Sequence, residues 1–147
     1  MHVIIHDEPM TSGAWGPVET ADHFAQMVGP LSMLVMPGNP EEPVRIGFRV
    51  EEKHCNKLGG CHGGMLGTVL DLALGYVANF ARQEEGTPTI SLSVDFLRPA
   101  PAGTWIESRC RLIETTRRMI FVDGLLICRQ GTVARGNAIY RRPSRNG

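Results

Sequence analysis

Two rhythms run through the chain. Val44, Ile46, Phe48 and Val50 alternate with Arg45, Gly47, Arg49 and Glu51, which is the period of a half-buried strand. Ile90, Leu92, Val94 and Phe96 alternate as strictly with Ser91, Ser93 and Asp95, and Arg98-Pro99-Ala100-Pro101 ends that strand. Ile106, Ser108, Cys110 and Leu112 alternate against Glu107, Arg109 and Arg111; a polar turn at Glu114 to Arg117 leads into the apolar run Met119 to Cys128. Gln130-Gly131 then turns the chain into Thr132 to Tyr140, where Ala134, Gly136 and Ala138 put small residues on one face that could seat something bulky.

The second rhythm is helical. From Gly63 to Ala81, apolar residues occupy every side of the helical wheel, which predicts a buried helix. One long central helix among five or six antiparallel strands predicts an α+β domain, with a single curved sheet wrapped around the helix. Upstream, the Thr11-Ser12-Gly13 and Gly16-Pro17 punctuation suggests an arm without sustained period. Glu19 to Val28 reads as a short helix ended by Gly29-Pro30, and Leu31 to Met36 precedes a turn at Pro37-Gly38-Asn39-Pro40. Residues 1–30 are therefore expected to be an arm with a short helix, and 31–147 the main domain.

Composition narrows the classes. The 147 residues suffice for one real core, and 42% apolar with 20% charged residues is the balance of a packed globular protein. Fifteen basic and fifteen acidic side chains cancel, so no bulk field attracts nucleic acid or anionic lipid. The basic tail Arg141-Arg142-Pro143-Ser144-Arg145 reads as a solvated terminus. No signal-peptide pattern opens the chain, and Asp71 interrupts the longest apolar segment, so neither secretion nor a membrane span is expected. A cytoplasmic location follows as an expectation, with Cys55, Cys61, Cys110 and Cys128 as free thiols.

Asp71 is the most informative residue, because a carboxylate on an apolar helix is costly unless it is paired or put to use. A structural carboxylate bonded to backbone or to a buried Arg is the plainer reading. Gly67, Asp71 and Gly75, at i, i+4 and i+8, place it in a strip cleared of side chains that admits water, substrate or a second helix. Gly63 and Gly64 start the same helix, where free N–H groups and the positive dipole end could polarise a thioester or ester carbonyl. They could equally serve only a tight turn. Gly63 and Asp71 lie about 12 Å apart along the axis, so they cannot both touch one carbonyl of the same chain. If both serve one reaction, a second copy of the helix must lie antiparallel beside the first, which predicts a two-fold dimer with shared sites. His62 caps the helix start or helps hold the carbonyl. Asn56 orients a water or braces the loop, and Thr89 offers a hydroxyl or is a strand-edge residue.

The run His54-Cys55-Asn56-Lys57-Leu58-Gly59-Gly60-Cys61-His62-Gly63-Gly64, followed by Asp71-Leu72-Ala73, resembles the signature of hotdog-fold acyl-CoA thioesterases of the phenylacetate-degradation, PaaI-like branch. That signature has Asn, Gly three residues on, His-Gly-Gly, then Asp nine residues past the His, and each position matches. Asp95-Phe96-Leu97-Arg98-Pro99 resembles the end of the family's strand after the helix, and the likeness covers about Val44 to Tyr140. The resemblance implies a hotdog fold, no cofactor, and hydrolysis of an acyl-CoA by a homodimer, often a dimer of dimers. It implies that Asp71 is the catalytic base or nucleophile and that the Gly63 amide polarises the carbonyl, with His62, Asn56 and a hydroxyl at Thr89 in support. Gly64 is expected to border the substrate, and Arg98, Arg117 and Arg118 are candidates for the CoA phosphates. Cys55 and Cys61 depart from the apolar or small residues usual beside the motif.

Rival readings are weaker. His54, Cys55, Cys61 and His62 lack the Cys-pair spacing of structural zinc sites and leave Asp71 unexplained. No phosphate-binding glycine loop and no Gly-x-Ser-x-Gly elbow occurs. A non-catalytic acyl-CoA-binding protein of the same fold has no need of the buried carboxylate, and a hotdog dehydratase would carry a different His-containing motif.

Overall fold

A computed structural model describes residues 6–83 and 86–143. The elements are β1 (Gly16–Pro17), α1 (His23–Val28), β2 (Ser32–Val35), β3 (Val44–Arg49), a 3-10 turn (Glu52–His54), α2 (Gly63–Arg82), β4 (Thr89–Phe96), β5 (Trp105–Thr115), β6 (Met119–Cys128) and β7 (Gly131–Arg141). The strands form one antiparallel sheet in the order β1-β2-β3-β5-β6-β7-β4, with α2 on its inner face. The sheet has seven strands where five or six were expected; the additional one is the two-residue β1, which pairs Gly16 with Met33. This is the hotdog arrangement.

The small residues of β7 seat the helix. Gly136 faces Gly124 of β6, and a Cβ on Gly136 would lie 2.7 Å from Leu70 Cδ2 and one on Gly124 3.0 Å from Leu74 Cδ2. The bulky occupant anticipated for that face is thus α2, whose Met65, Leu66, Val69, Leu70, Ala73, Leu74, Val77 and Ala78 pack against Ile46, Phe48, Ile106, Ile120, Val122 and Leu126.

The structure amends three expectations. Helix α1 starts at His23 and not Glu19, because the Asp22 carboxylate accepts the Phe24 and Ala25 amides and fixes the cap. Helix α2 is not covered on every side: one sheet hides one face, and Gly67, Thr68, Asp71, Leu72, Gly75 and Tyr76 remain half-exposed. By length and mean hydropathy (1.3) α2 would suffice for a membrane span despite Asp71, but its packing is that of a core helix. Strand β4 lies at the sheet edge, with Ile90 and Phe96 more than half exposed.

The arm is tied down on the outer sheet face. Glu107, fully buried, accepts the Met10 and Thr11 amides at 2.9 and 3.0 Å, the Thr11 hydroxyl, and Trp105 Nε1 at 3.1 Å. Trp15 meets Trp105 edge-on, and Trp105 lies over Gly47, where a Cβ would come within 2.4 Å of the indole. The first five residues of the arm, and Ser144 and Arg145 of the basic tail, lie outside the described residues.

Candidate active site

The site begins in the loop before α2. His54 Nδ1 accepts the Glu51 amide at 3.0 Å, so Nε2 carries the proton and donates to the Val28 carbonyl at 2.6 Å. Both ring nitrogens are spent on backbone, which removes His54 from any ligand set and ties the end of α1 to the loop. Asn56 Oδ1 accepts the Leu58 and Gly60 amides at 2.9 and 3.3 Å, so its carbonyl braces the turn. Gly59 sits at φ 84°, a conformation that favours glycine.

His62 is the N-cap of α2. Its Nδ1 accepts the Gly64 amide at 2.8 Å, and its carbonyl accepts from Met65 and Leu66. Gly64 is therefore occupied, and the Gly63 N–H is the helix-start donor that has no acceptor among the described residues. The Phe96 ring lies against Gly63, where a Cβ would stand 3.2 Å from it. A side chain at position 63 would crowd that ring.

Two turns along α2, Asp71 Oδ1 accepts the Thr89 hydroxyl at 2.9 Å and lies 2.9 Å from the Tyr140 hydroxyl, whose single proton is shared with the Asp71 carbonyl at 2.7 Å. No donor among the described residues meets Oδ2. Tyr140 is almost wholly buried, and burial, then the Asp71 charge, pushes its pKa well above the usual phenol value. It stays a hydrogen-bond donor. Tyr140 escaped the sequence reading, yet a signal was present: it continues the inward face of Ala134, Gly136 and Ala138, where a buried phenol needs a partner.

An open trough of about 380 Å³, bordered by Gly64, Gly67, Thr68, Asp71, Leu72 and Phe24, runs along the cleared strip of the helix. It adjoins a pocket of about 460 Å³ whose walls include Phe24, Met27, Cys55, His62 and Met65. Asp71, Thr89 and Tyr140 meet at one end of the site, and Asn56, His62, Gly63 and Gly64 at the other; one chain does not bring the two sets together. The arginines divide in the same way. Arg98 lies just past Phe96, its guanidinium against Gly131, whereas Arg117 and Arg118 occupy the β5–β6 turn next to the Tyr140–Thr89 row.

Comparison with known proteins agrees with this architecture. The sequence model of the thioesterase superfamily matches residues 58–145. PA0474 of Pseudomonas aeruginosa, a protein assigned as an esterase by inference, is 34% identical over 99 residues, 67% of this chain and 74% of its own. Mouse acyl-coenzyme A thioesterase 13 is 31% identical over 78 residues, 52% of this chain and 54% of its own. A variant of the phenylacetic acid degradation protein PaaI from Thermus thermophilus superposes with a TM-score of 0.72 at 25% identity, covering 83% of this chain and all of its own. With the helix, the sheet and the Asn-Gly-His-Gly-Gly-Asp spacing in place, the chain belongs to the thioesterase superfamily, as a hotdog-fold member of the PaaI-like branch.

Proposed function

We propose that the protein hydrolyses an acyl-CoA thioester to the free acid and CoA, at sites each built from two copies of the chain. The observation that carries this reading is the half-used carboxylate of Asp71. One oxygen accepts the Thr89 hydroxyl and shares the Tyr140 proton with the backbone carbonyl, the other meets no donor among the described residues, and Asp71 borders the open trough beside Gly67. Such an oxygen is oriented and still able to act.

In this reading the thioester carbonyl oxygen accepts the Gly63 N–H, and the helix N-terminus stabilises the negative charge that develops there. Asp71 Oδ2 takes a proton from water as the water oxygen bonds to the carbonyl carbon. The C–S bond then breaks, and the proton goes to the departing CoA thiolate. The alternative is attack by Oδ2 itself, giving an acyl-enzyme anhydride that water opens. His62 holds the helix start by occupying the Gly64 amide, Asn56 braces the preceding turn, and Thr89 with Tyr140 aims the carboxylate. Arg98 from one copy and Arg117 or Arg118 from the other are candidates for the CoA phosphates.

The open face of α2 and the unpaired edge of β4, with Ile90 and Phe96 exposed, support an antiparallel pairing of two copies. That pairing would carry Asp71 of one chain to Gly63 of its twin. Release of free CoA from a panel of acyl-CoAs by the native chain and by Asp71→Asn tests the reading. Turnover by the native chain alone is expected. Equal turnover by both removes the mechanism, and none by either favours a binding protein.

A further inference from the structure

Cys55 and Cys61 face each other across an isolated antiparallel bridge at the neck of the loop 56–60. The flanking hydrogen bonds fix the kind of pair. The Asn56 amide donates to the Gly60 carbonyl at 2.8 Å, and the His62 amide donates to the His54 carbonyl at 2.7 Å. The two bonds flank the cysteines, one on each side, so Cys55 and Cys61 form a non-hydrogen-bonded pair, the kind whose side chains approach most closely. Cα atoms in such pairs stand about 4.5 Å apart, inside the range a disulfide spans but short of its preferred separation of about 5.5–6 Å. The sulfurs are free thiols here, near enough that a charge on Cys55 opposes ionisation of Cys61.

We propose that Cys55 and Cys61 are a reversible dithiol–disulfide site, oxidised by low-molecular-weight disulfides, and that its closure shifts the start of α2 and slows turnover. Cys55 is half-buried and borders the pocket beside His62, so it is the sulfur an oxidant meets; Cys61 is 7% exposed. The Cys55 thiolate attacks one sulfur of the oxidant, and the other leaves as a thiol after taking up a proton. The Cys61 thiolate then attacks the Cys55 sulfur of the mixed disulfide and expels the second thiol. Two protein thiols are oxidised and one disulfide is reduced to two thiols. Burial pushes both thiols up, Cys61 to about 12, so exchange quickens as the pH rises.

The consequence follows from the position. Reaching the preferred separation spreads the bridge by about 1 Å, working against the Asn56–Gly60 and His62–His54 hydrogen bonds. His62 caps α2 and Gly63 follows it directly. A shift of this size at an oxyanion donor costs roughly tenfold or more in rate. That effect, unlike the bond itself, rests on the proposed thioesterase activity.

The test is incubation of the full chain with oxidised glutathione at mildly alkaline pH, followed by thiol counting after denaturation and tryptic mapping. Expected is loss of two of the four thiols and a disulfide joining the peptides 54–57 and 58–82, reversed by dithiothreitol. Cys61→Ser should stop at a glutathione adduct on Cys55, and Cys55→Ser should stay unmodified. Four intact thiols, a native chain halted at the adduct, or a bond to Cys110 or Cys128 would overturn the site. CoA release in the same samples should fall about tenfold on oxidation of the native chain and recover on reduction, while the rate of Cys55→Ser, whatever its starting value, should be the same before and after the oxidant. A closed bond with unchanged turnover overturns the coupling to the active site. Absence of turnover in the reduced protein counts against the thioesterase reading and leaves the bond to be judged by the thiol count.

Discussion

Asp71 and Glu107 are carboxylates on opposite sides of one sheet, and they are held in opposite ways. Glu107 is saturated: the Met10 and Thr11 amides, the Thr11 hydroxyl and the Trp105 indole fill both its oxygens, and Arg109 stands 3.4 Å away. Asp71 has all its side-chain partners on one oxygen. A carboxylate with every lone pair engaged is a fastening, whereas one that is aimed and left half open is equipped to move a proton or attack a carbon. Burial alone would have ranked them the other way, since Glu107 is wholly buried and Asp71 only half.

Substitutions can break this contrast, and the largest effect belongs to Asp71. Asp71→Asn keeps the size and removes the base; turnover should fall on the order of 10³-fold, with an unfolding midpoint close to native. Gly63→Ala sets a methyl against the Phe96 ring, beside the proposed oxyanion donor, and should cost on the order of 10²-fold in kcat. Tyr140→Phe leaves Thr89 to aim Asp71 alone. A loss of about tenfold is expected in kcat with KM little changed, beside a stability cost of about 1 kcal/mol in urea.

Glu107→Gln should leave turnover unchanged and cost about 2 kcal/mol of stability at neutral pH. Burial raises the Glu107 pKa, but the bonds from Thr11, Trp105 and Met10 outweigh it and leave the group below its ordinary 4.5. Its stabilising contribution is therefore fully present above that unfolded value and fades as the pH falls through the lower folded one. Urea midpoints of native and Glu107→Gln chains should converge in acid. A catalytic defect in Glu107→Gln, or none in Asp71→Asn, would erase the distinction between the two carboxylates.

Much of the fold was legible because strand alternation and the largely apolar stretch from Gly63 to Ala81 carry strong signals. The strands from Val44 to Tyr140 and helix α2 all lie where those periods place them, within a few residues. The openness of α2 was legible only in part: Gly67, Asp71 and Gly75 marked a cleared strip, but an apolar wheel does not say whether sheet or second subunit covers each face. Glu107 read as an outward residue of an alternating strand; what buries it is an arm about 97 positions away in sequence, and no local pattern encodes that. Asp71 and the glycines stood out by spacing. Tyr140 did not, because its role depends on a row shared by β4, β7 and α2.

The central claim is that each site takes its carboxylate from one chain and its oxyanion donor from another. Co-refolding equal amounts of Asp71→Asn and Gly63→Ala chains tests it directly, because a two-fold hybrid then contains one doubly defective and one intact site. With half the dimers hybrid, CoA release should return to about a quarter of the native rate. A mixture no more active than the sum of its parents would contradict the shared site.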